Sequence, residues 1–341
     1  MSGRRKLADH PSATLAEAAR RGAATLPGLL LQRAQQQPLR LALREKQRGI
    51  WQRHSWADYA ERVRELALFL RTQGVAAGDA VAIIGDGSPG WFFADLATQA
   101  LGGVAVGVYP TNPWPELQYI VRHCGARVAV CGDQEQADKV LAALEREGGL
   151  PRLGLIVVID PKGMRHYDDA RIVTLDAALA RGRELRTAEQ RAGQGCSIER
   201  AVAALRPGQD AIIVYTSGTT GMPKGARISH HSIVTASRVL GEVYGFEGRA
   251  LSALCYLPLC HVAERLFSTV TQLVWGSVVN FAESIDTVAH DLREIAPTYF
   301  LGVPRIWEKM QRDVLLAAQD AQPLARRAFA LVLRVASRLA D

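Results

Sequence analysis

Residues 215–225 read Tyr-Thr-Ser-Gly-Thr-Thr-Gly-Met-Pro-Lys-Gly, a run with little side-chain bulk and many hydrogen-bond donors. Gly218, Gly221 and Gly225 let a backbone approach a ligand closely and adopt positive φ at little steric cost. Thr216, Ser217, Thr219 and Thr220 add hydroxyls, and Lys224 adds a mobile point charge suited to a terminal phosphate. Pro223 fixes one φ angle and stiffens the turn. Residues 211–214, Ala-Ile-Ile-Val, read as a buried strand ahead of the run. Residues 229–243 read as a helix behind it, with Ser229 or Ser232 as cap. Strand, small-residue loop and helix form a setting in which backbone N–H groups converge on an anion. The common phosphate loop places Ser or Thr after Gly-Lys, whereas Lys224 is followed by Gly225 and Ala226. A plain surface turn needs one or two special residues rather than a continuous run of them. The chemistry expected here is therefore the binding of phosphate.

A second stretch, residues 254–267, reads Leu-Cys-Tyr-Leu-Pro-Leu-Cys-His-Val-Ala-Glu-Arg-Leu-Phe. Cys260 beside His261 has the side-chain types of a metal ligand pair or a Cys/His nucleophile. Both Cys255 and Cys260 sit in an apolar run, however, where buried, inert thiols are expected. Neither Cys124 with Cys131 nor Cys255 with Cys260 has zinc-finger spacing, and no metal ligand is assigned. Five cysteines, an odd number without regular spacing, point to a reducing compartment. Glu264 and Arg265 are spaced for a local ion pair or for the wall of a pocket.

The elements that must position these residues alternate. Residues 29–37 read as a helix, and 39–43 with 50–54 as a strand pair turning at Arg48-Gly49. Residues 56–73 form an amphipathic helix pattern, capped by Ser55 and ended by Gly74. Strands at 80–84, 104–109, 128–131 and 155–159 are separated by helices at 91–101, 117–123 and 134–147. This order predicts an α/β fold: doubly wound, mostly parallel sheets with flanking helices. Residues 299–303 read as a strand running into Pro304, with a helix carrying Trp307 after it. Residues 324–339 read as a last helix, with Phe329, Leu333 and Ala336 on one face and Arg327, Arg334 and Arg338 elsewhere. The expected divisions are a tail over 1–26, a first α/β subdomain over 27–206 and a second over 207–341.

The string at 215–225 resembles the nucleotide loop of the AMP-forming adenylating enzymes. Further strings resemble the long-chain fatty acyl-CoA synthetases in the same order: Trp56-Ala-Asp-Tyr59, Gly78-Asp79, Trp91 to Leu96, Gly107 to Thr111, Leu257-Pro-Leu-Cys-His261 and residues 297–310. Trp56, Trp91 and Gly78 are read as packing and turn residues. The resemblance implies a ligase that joins a fatty carboxylate to AMP with loss of diphosphate, then transfers the acyl group to CoA. It implies ATP, Mg2+ and CoA as cofactors or co-substrates. Residues 216–225 would cradle the β- and γ-phosphates with Lys224 on the terminal one, and His261 would border the reacting carboxylate. Residues 255–281 and 299–307 would wall the acyl pocket. Some long-chain members carry a tryptophan gate about where Arg265 stands, so the gate is open to question. The family's Gly-Tyr-Gly-x-Thr-Glu and Thr-Gly-Asp strings and its C-terminal catalytic lysine find no counterpart, so the chain reads as an incomplete large N-terminal domain of the acyl-adenylate-forming fold. Two alternatives remain: a fatty acyl-AMP ligase passing acyl groups to a carrier protein, and a truncated remnant that at most binds nucleotide.

Bulk properties agree with a globular protein of this kind. At 341 residues, 48% apolar and 22% charged, the chain can bury a large core. The net charge of +7 suits anionic partners such as ATP, CoA or an acidic membrane surface. Scattered arginines without a basic aromatic stripe argue against nucleic acid. No apolar run reaches spanning length, and no apolar segment follows the basic start, so a cytoplasmic address is expected. Peripheral contact with the inner membrane face, and the oligomeric state, stay open.

Overall fold

The computed structural model describes residues 24–216 and 221–340. Two compact units divide at Tyr299/Phe300. The first contains strands β1 (Leu41–Gln47), β2 (Ile50–Ser55), β3 (Ala80–Ile84), β4 (Val104–Val108), β5 (Val128–Cys131), β6 (Leu155–Val158), β7 (Ile172–Thr174), β8 (Asp210–Thr216), β9 (Lys224–Ser229), β10 (Ser252–Cys255) and β11 (Val278–Phe281). Its helices are α1 (Leu26–Gln36), α2 (Trp56–Thr72), α3 (Pro89–Ala100), α4 (Trp114–His123), α5 (Gln134–Glu145), α6 (Leu175–Arg191), α7 (Ser197–Ala203), α8 (His230–Tyr244), α9 (Val262–Arg265), α10 (Thr271–Trp275) and α11 (Val288–Ile295). A π-helical turn, Leu266–Val270, joins α9 to α10.

The seven-stranded sheet has the order β7-β6-β5-β3-β4-β8-β9 and is parallel except at its β8–β9 edge. Alternation along the strands divides the core in two. Val81, Ile83, Val128, Val130, Ile212 and Val214 face α1, α2 and α3, while Ala82, Ile84, Val106, Cys131 and Tyr215 face α4 and α5. Helices on both faces of a mostly parallel sheet give the doubly wound α/β architecture expected from the sequence. The four-stranded sheet, β10-β11-β1-β2, pairs the early strand β1 in parallel with the late strand β11. The division expected at 207 falls within the stretch that leads into β8, a strand of the same sheet as β3 to β7.

Two local expectations are corrected. The glycine-rich run does not lead directly into a helix: Lys224–Ser229 forms β9, antiparallel to β8 and in register Thr216↔Lys224 and Tyr215↔Gly225. Residues 217–223 therefore connect a hairpin at the sheet edge, and Ser229 caps α8 one strand later, accepting the Ser232 N–H at 3.2 Å. β9 was missed because an edge strand needs only one apolar face, and Gly225, Ala226 and Arg227 do not alternate. The strand expected at 299–303 is only a single bridge, Tyr299 to Ala253. Pro304 opens the helix that follows and has no N–H with which to extend a ladder.

The second unit holds α12 (Pro304–Asp320) and α13 (Pro323–Ala340). Trp307 donates from its indole to the carbonyl of Gly302 at 3.0 Å and meets Phe300 edge to face. Leu316, Leu324, Leu331 and Val332 are exposed. No described helix is long and apolar enough to cross a membrane.

Candidate active site

Parallel strands point their C-terminal ends in one direction, and the crevice outside those ends is where open α/β sheets bind ligands. β8 ends at Thr216 and delivers the glycine-rich connection to that edge. Its neighbour β4 pairs Gly107 with Val214. A Cβ added to Gly107 would lie 2.6 Å from Cα of Cys260. Residue 107 must therefore be small for the 258–261 segment to rest on β4. Through this contact the His261 segment rests on β4, the strand next to β8, which ends at Thr216.

Thr216 and Lys224 are exposed at the base of the hairpin, and Lys224 has no side-chain hydrogen bond or ion pair among the described residues. Gly221 has φ of +109°, a conformation that glycine accepts readily. Gly225 has a packing reason to be glycine. A Cβ there would come within 2.9 Å of the Ile213 side chain and 3.2 Å of the Tyr215 ring. Ser217, Gly218, Thr219 and Thr220 lie outside the described residues.

His261 is not a buried histidine held by a carbonyl. It is exposed, caps α9, and accepts the Ala263 N–H at Nδ1 over 3.1 Å. An Nδ1 that accepts leaves the ring proton on Nε2, which makes the outer edge of the ring a hydrogen-bond donor. Such a donor suits a carboxylate or a developing acyl phosphate. Cys260 carries no nucleophile: burial pushes its thiol up to about 12, so the reactive thiolate is not formed near neutrality.

The two charges after His261 turn inward. Arg265 is buried, pairs with Asp95 of α3, and lies over the Trp91 ring at 4.8 Å. The pair ties the His261 segment to α3. Glu264 is fully enclosed and accepts the Ser268 hydroxyl, and burial raises its carboxyl to about 7. Within the 255–281 stretch expected to wall an acyl pocket, Phe267 and Ser277 both meet Tyr299: its hydroxyl donates to the Phe267 carbonyl at 2.9 Å and bonds Ser277 at 3.0 Å. Residues 300–307 belong to the second unit.

Two residues escaped sequence reading. Tyr119 and His123 of α4 reach the hairpin, with Tyr119 donating to the Pro223 carbonyl and His123 bonding the Tyr215 hydroxyl. Their only sequence signal is the spacing of four, which puts both on one helix face.

A metal fits poorly among the described residues. The one group with three candidate ligands, His290, Asp291 and Glu294, already contains Lys46, whose Nζ lies 3.4 Å from Asp291 and 2.6 Å from Glu294.

The model of the AMP-binding enzyme family matches residues 30–337. A long-chain-fatty-acid–CoA ligase of Rattus norvegicus, ACSBG1, is 33% identical over 289 residues, covering 82% of this chain and 38% of the relative. ACSBG2 of Xenopus laevis, also a long-chain-fatty-acid–CoA ligase, is 30% identical, covering 84% and 38%. The chain thus spans well under half the length of these curated relatives. Among solved structures, the inhibitor-bound N-terminal domain of FACL13 from Mycobacterium tuberculosis aligns with a TM-score of 0.67 at 21% identity, covering 84% of this chain and 65% of that one. The anthranilate CoA ligase AuaEII in complex with anthranoyl-AMP aligns with a TM-score of 0.66 at 19% identity, covering 82% and 49%. At such identities the structures speak for the fold. The family match over nearly the whole length settles membership: the chain belongs to the AMP-binding enzyme family.

Proposed function

We propose that this chain supplies the phosphate-holding part of an AMP-forming long-chain fatty acid–CoA ligase. The observation that carries the reading is that Thr216 and Lys224, at the end of β8, and the His261 segment, resting on β4 through the Gly107–Cys260 contact, belong to neighbouring strands. ATP is the substrate that such an edge suits. Backbone N–H groups and hydroxyls of residues 216–221 hold the β- and γ-phosphates, and Lys224 neutralises the terminal one. The fatty carboxylate attacks the α-phosphorus and diphosphate leaves; the thiol of CoA then attacks the acyl carbon, AMP leaves and the thiol proton is released. His261, with its proton on Nε2, borders the carboxylate as it becomes an acyl phosphate. Mg2+ accompanies ATP in such chemistry and neutralises phosphate charge; no residue of this chain is assigned to hold it. The 33% identity to a long-chain-fatty-acid–CoA ligase supports a fatty acid as the acyl substrate.

Calorimetric titration of the chain with MgATP tests the phosphate site. Lys224→Ala should weaken binding by about 10- to 100-fold, the loss of a charge-assisted hydrogen bond worth ~1.5–3 kcal/mol. Equal binding by both proteins would remove Lys224 from the site. Palmitate-dependent exchange between ATP and diphosphate tests the reaction, with the chain alone and with the C-terminal portion of a relative supplied in trans. Exchange lost on His261→Ala, with MgATP binding retained, is the result expected of a residue that meets the carboxylate.

A further inference from the structure

The hairpin that carries the glycine-rich run is braced from beneath. β8 turns Tyr215 toward the face covered by α4, and the Tyr215 ring is nearly buried there. His123, the last residue of α4, holds the Tyr215 hydroxyl through Nδ1 at 2.7 Å and meets its ring edge to face at 5.8 Å. One turn earlier Tyr119 stacks on the His123 imidazole, with ring centroids 5.4 Å apart, and donates its hydroxyl to the carbonyl of Pro223 at 3.2 Å. Tyr215 also fills the space that a side chain at Gly225 would need. Both ends of the connection, Tyr215 before it and Pro223 after it, are thus tied to one helix face. Tyr215 belongs to the core that α4 covers and Tyr119 packs against it, and the two hydroxyl bonds give that packing a fixed direction.

We propose that Tyr119 and His123 are positioning residues that, by holding Pro223 and Tyr215, fix the adjoining pair Thr216 and Lys224 where they meet the terminal phosphate of a nucleoside triphosphate. This rests on the reading of the loop given above. A side chain or backbone group held in place before its ligand arrives spares part of the entropic cost of binding. Pro223 has no N–H of its own, so its carbonyl is the group by which the neighbouring backbone can be anchored. Tyr119 touches no substrate in this scheme. Its effect is on nucleotide affinity and not on the chemical step.

The test combines amide hydrogen exchange with nucleotide binding on the whole chain. Tyr119→Phe removes one hydroxyl and keeps the ring stack. It should speed exchange in a peptide spanning residues 216–228 at least threefold, leave exchange in β3 and β5 unchanged, and raise the dissociation constant for MgATP at least threefold. His123→Leu should do the same, and His123→Gln, which can still bond the Tyr215 hydroxyl, should recover most of the loss. Unchanged exchange in that peptide in Tyr119→Phe would overturn the proposal. So would exchange that rises equally across the sheet, since that marks a general loss of packing. If the unaltered chain binds no MgATP, the nucleotide reading fails, and the exchange arm still decides whether α4 braces the hairpin.

Discussion

At the scale of single residues, Glu264 is the clearest case of a group whose environment opposes its charge. It is enclosed, one of its oxygens has no partner among the described residues, and burial raises its carboxyl from 4.5 to about 7. The folded state therefore holds a proton that the unfolded state releases. The stability this contributes is complete below about pH 4.5 and is lost as pH rises through about 7. The gap of the two values corresponds to about 3 kcal/mol, at ~1.4 kcal/mol per pH unit. Glu264→Gln keeps the shape and the hydrogen bond to Ser268 and cannot ionise. Denaturant midpoints measured from pH 4 to 8 should show wild type losing ground to this variant across that window. Parallel curves would mean that Glu264 is solvated or paired. The pair Glu264-Arg265 was visible in the sequence as charge inside an apolar stretch; its partners were not. Asp95 lies far away in the chain, and no local pattern announces a contact between α3 and α9. The same holds for Tyr119 and Pro223, whereas Lys224 and His261 could be singled out as candidates because each stands in a motif written in adjacent residues.

Elements place those residues, and here the fit of β4 against the 258–261 segment decides the geometry. Gly107→Val would drive side-chain carbons into the backbone of Cys260, which cannot swing aside as a flexible side chain could. The segment must lift, at a cost of about 1–3 kcal/mol. Cys260 is 4% exposed in the native protein, so its thiol reports the lift: labelling at Cys260 should be faster in Gly107→Val than in wild type, while the β5 thiol of Cys131 stays protected. Equal labelling of Cys260 in both proteins would mean that the sheet, not the segment, gives way. The alternation of strands and helices through residues 80–158 was readable because each strand is a short apolar run between turn residues, while α4 and α5 each carry an apolar stripe and α3 is apolar enough to be buried on every side. What failed was β9, whose Lys-Gly-Ala-Arg-Ile-Ser has no consistent period. Its strand state comes from pairing with β8, a tertiary cause that a local reading does not contain. Ser55 is the converse case: its capping box with Asp58 is written in adjacent residues and was legible as the start of α2.

Across the whole molecule, early and late segments of the first unit are interleaved. β1 pairs with β11, and Arg33 of α1 donates to the carbonyls of Leu273 and Val274 at 3.1 and 2.6 Å, closing the last turn of α10. The start of α1 is held in the same way: the N–H of Leu26 donates to Nδ1 of His230, at the first position of α8. His230 is 1% exposed, and burial lowers its imidazole from 6.5 to about 4. A protonated Nδ1 could not accept the Leu26 N–H, so the ring must stay neutral for this junction to exist. The unfolded chain takes up the proton near 6.5 and the folded chain only near 4, so stability falls as pH drops between those values. The full loss is about 3 kcal/mol at ~1.4 kcal/mol per pH unit. It opposes the trend from Glu264 over nearly the same window, so the two largely cancel in wild type between about pH 4.5 and 6.5, and each shows only when the other is removed. His230→Gln is expected to uncover the Glu264 trend, so that stability rises as pH falls from about 7 to 4.5, while stability at neutral pH is lowered because the amide oxygen can accept the Leu26 N–H only imperfectly. Fluorescence-detected unfolding from pH 4 to 7 checks this. If His230→Gln keeps the pH dependence of wild type, the proton uptake belongs to another group, and the junction between α1 and α8 is not what acid breaks.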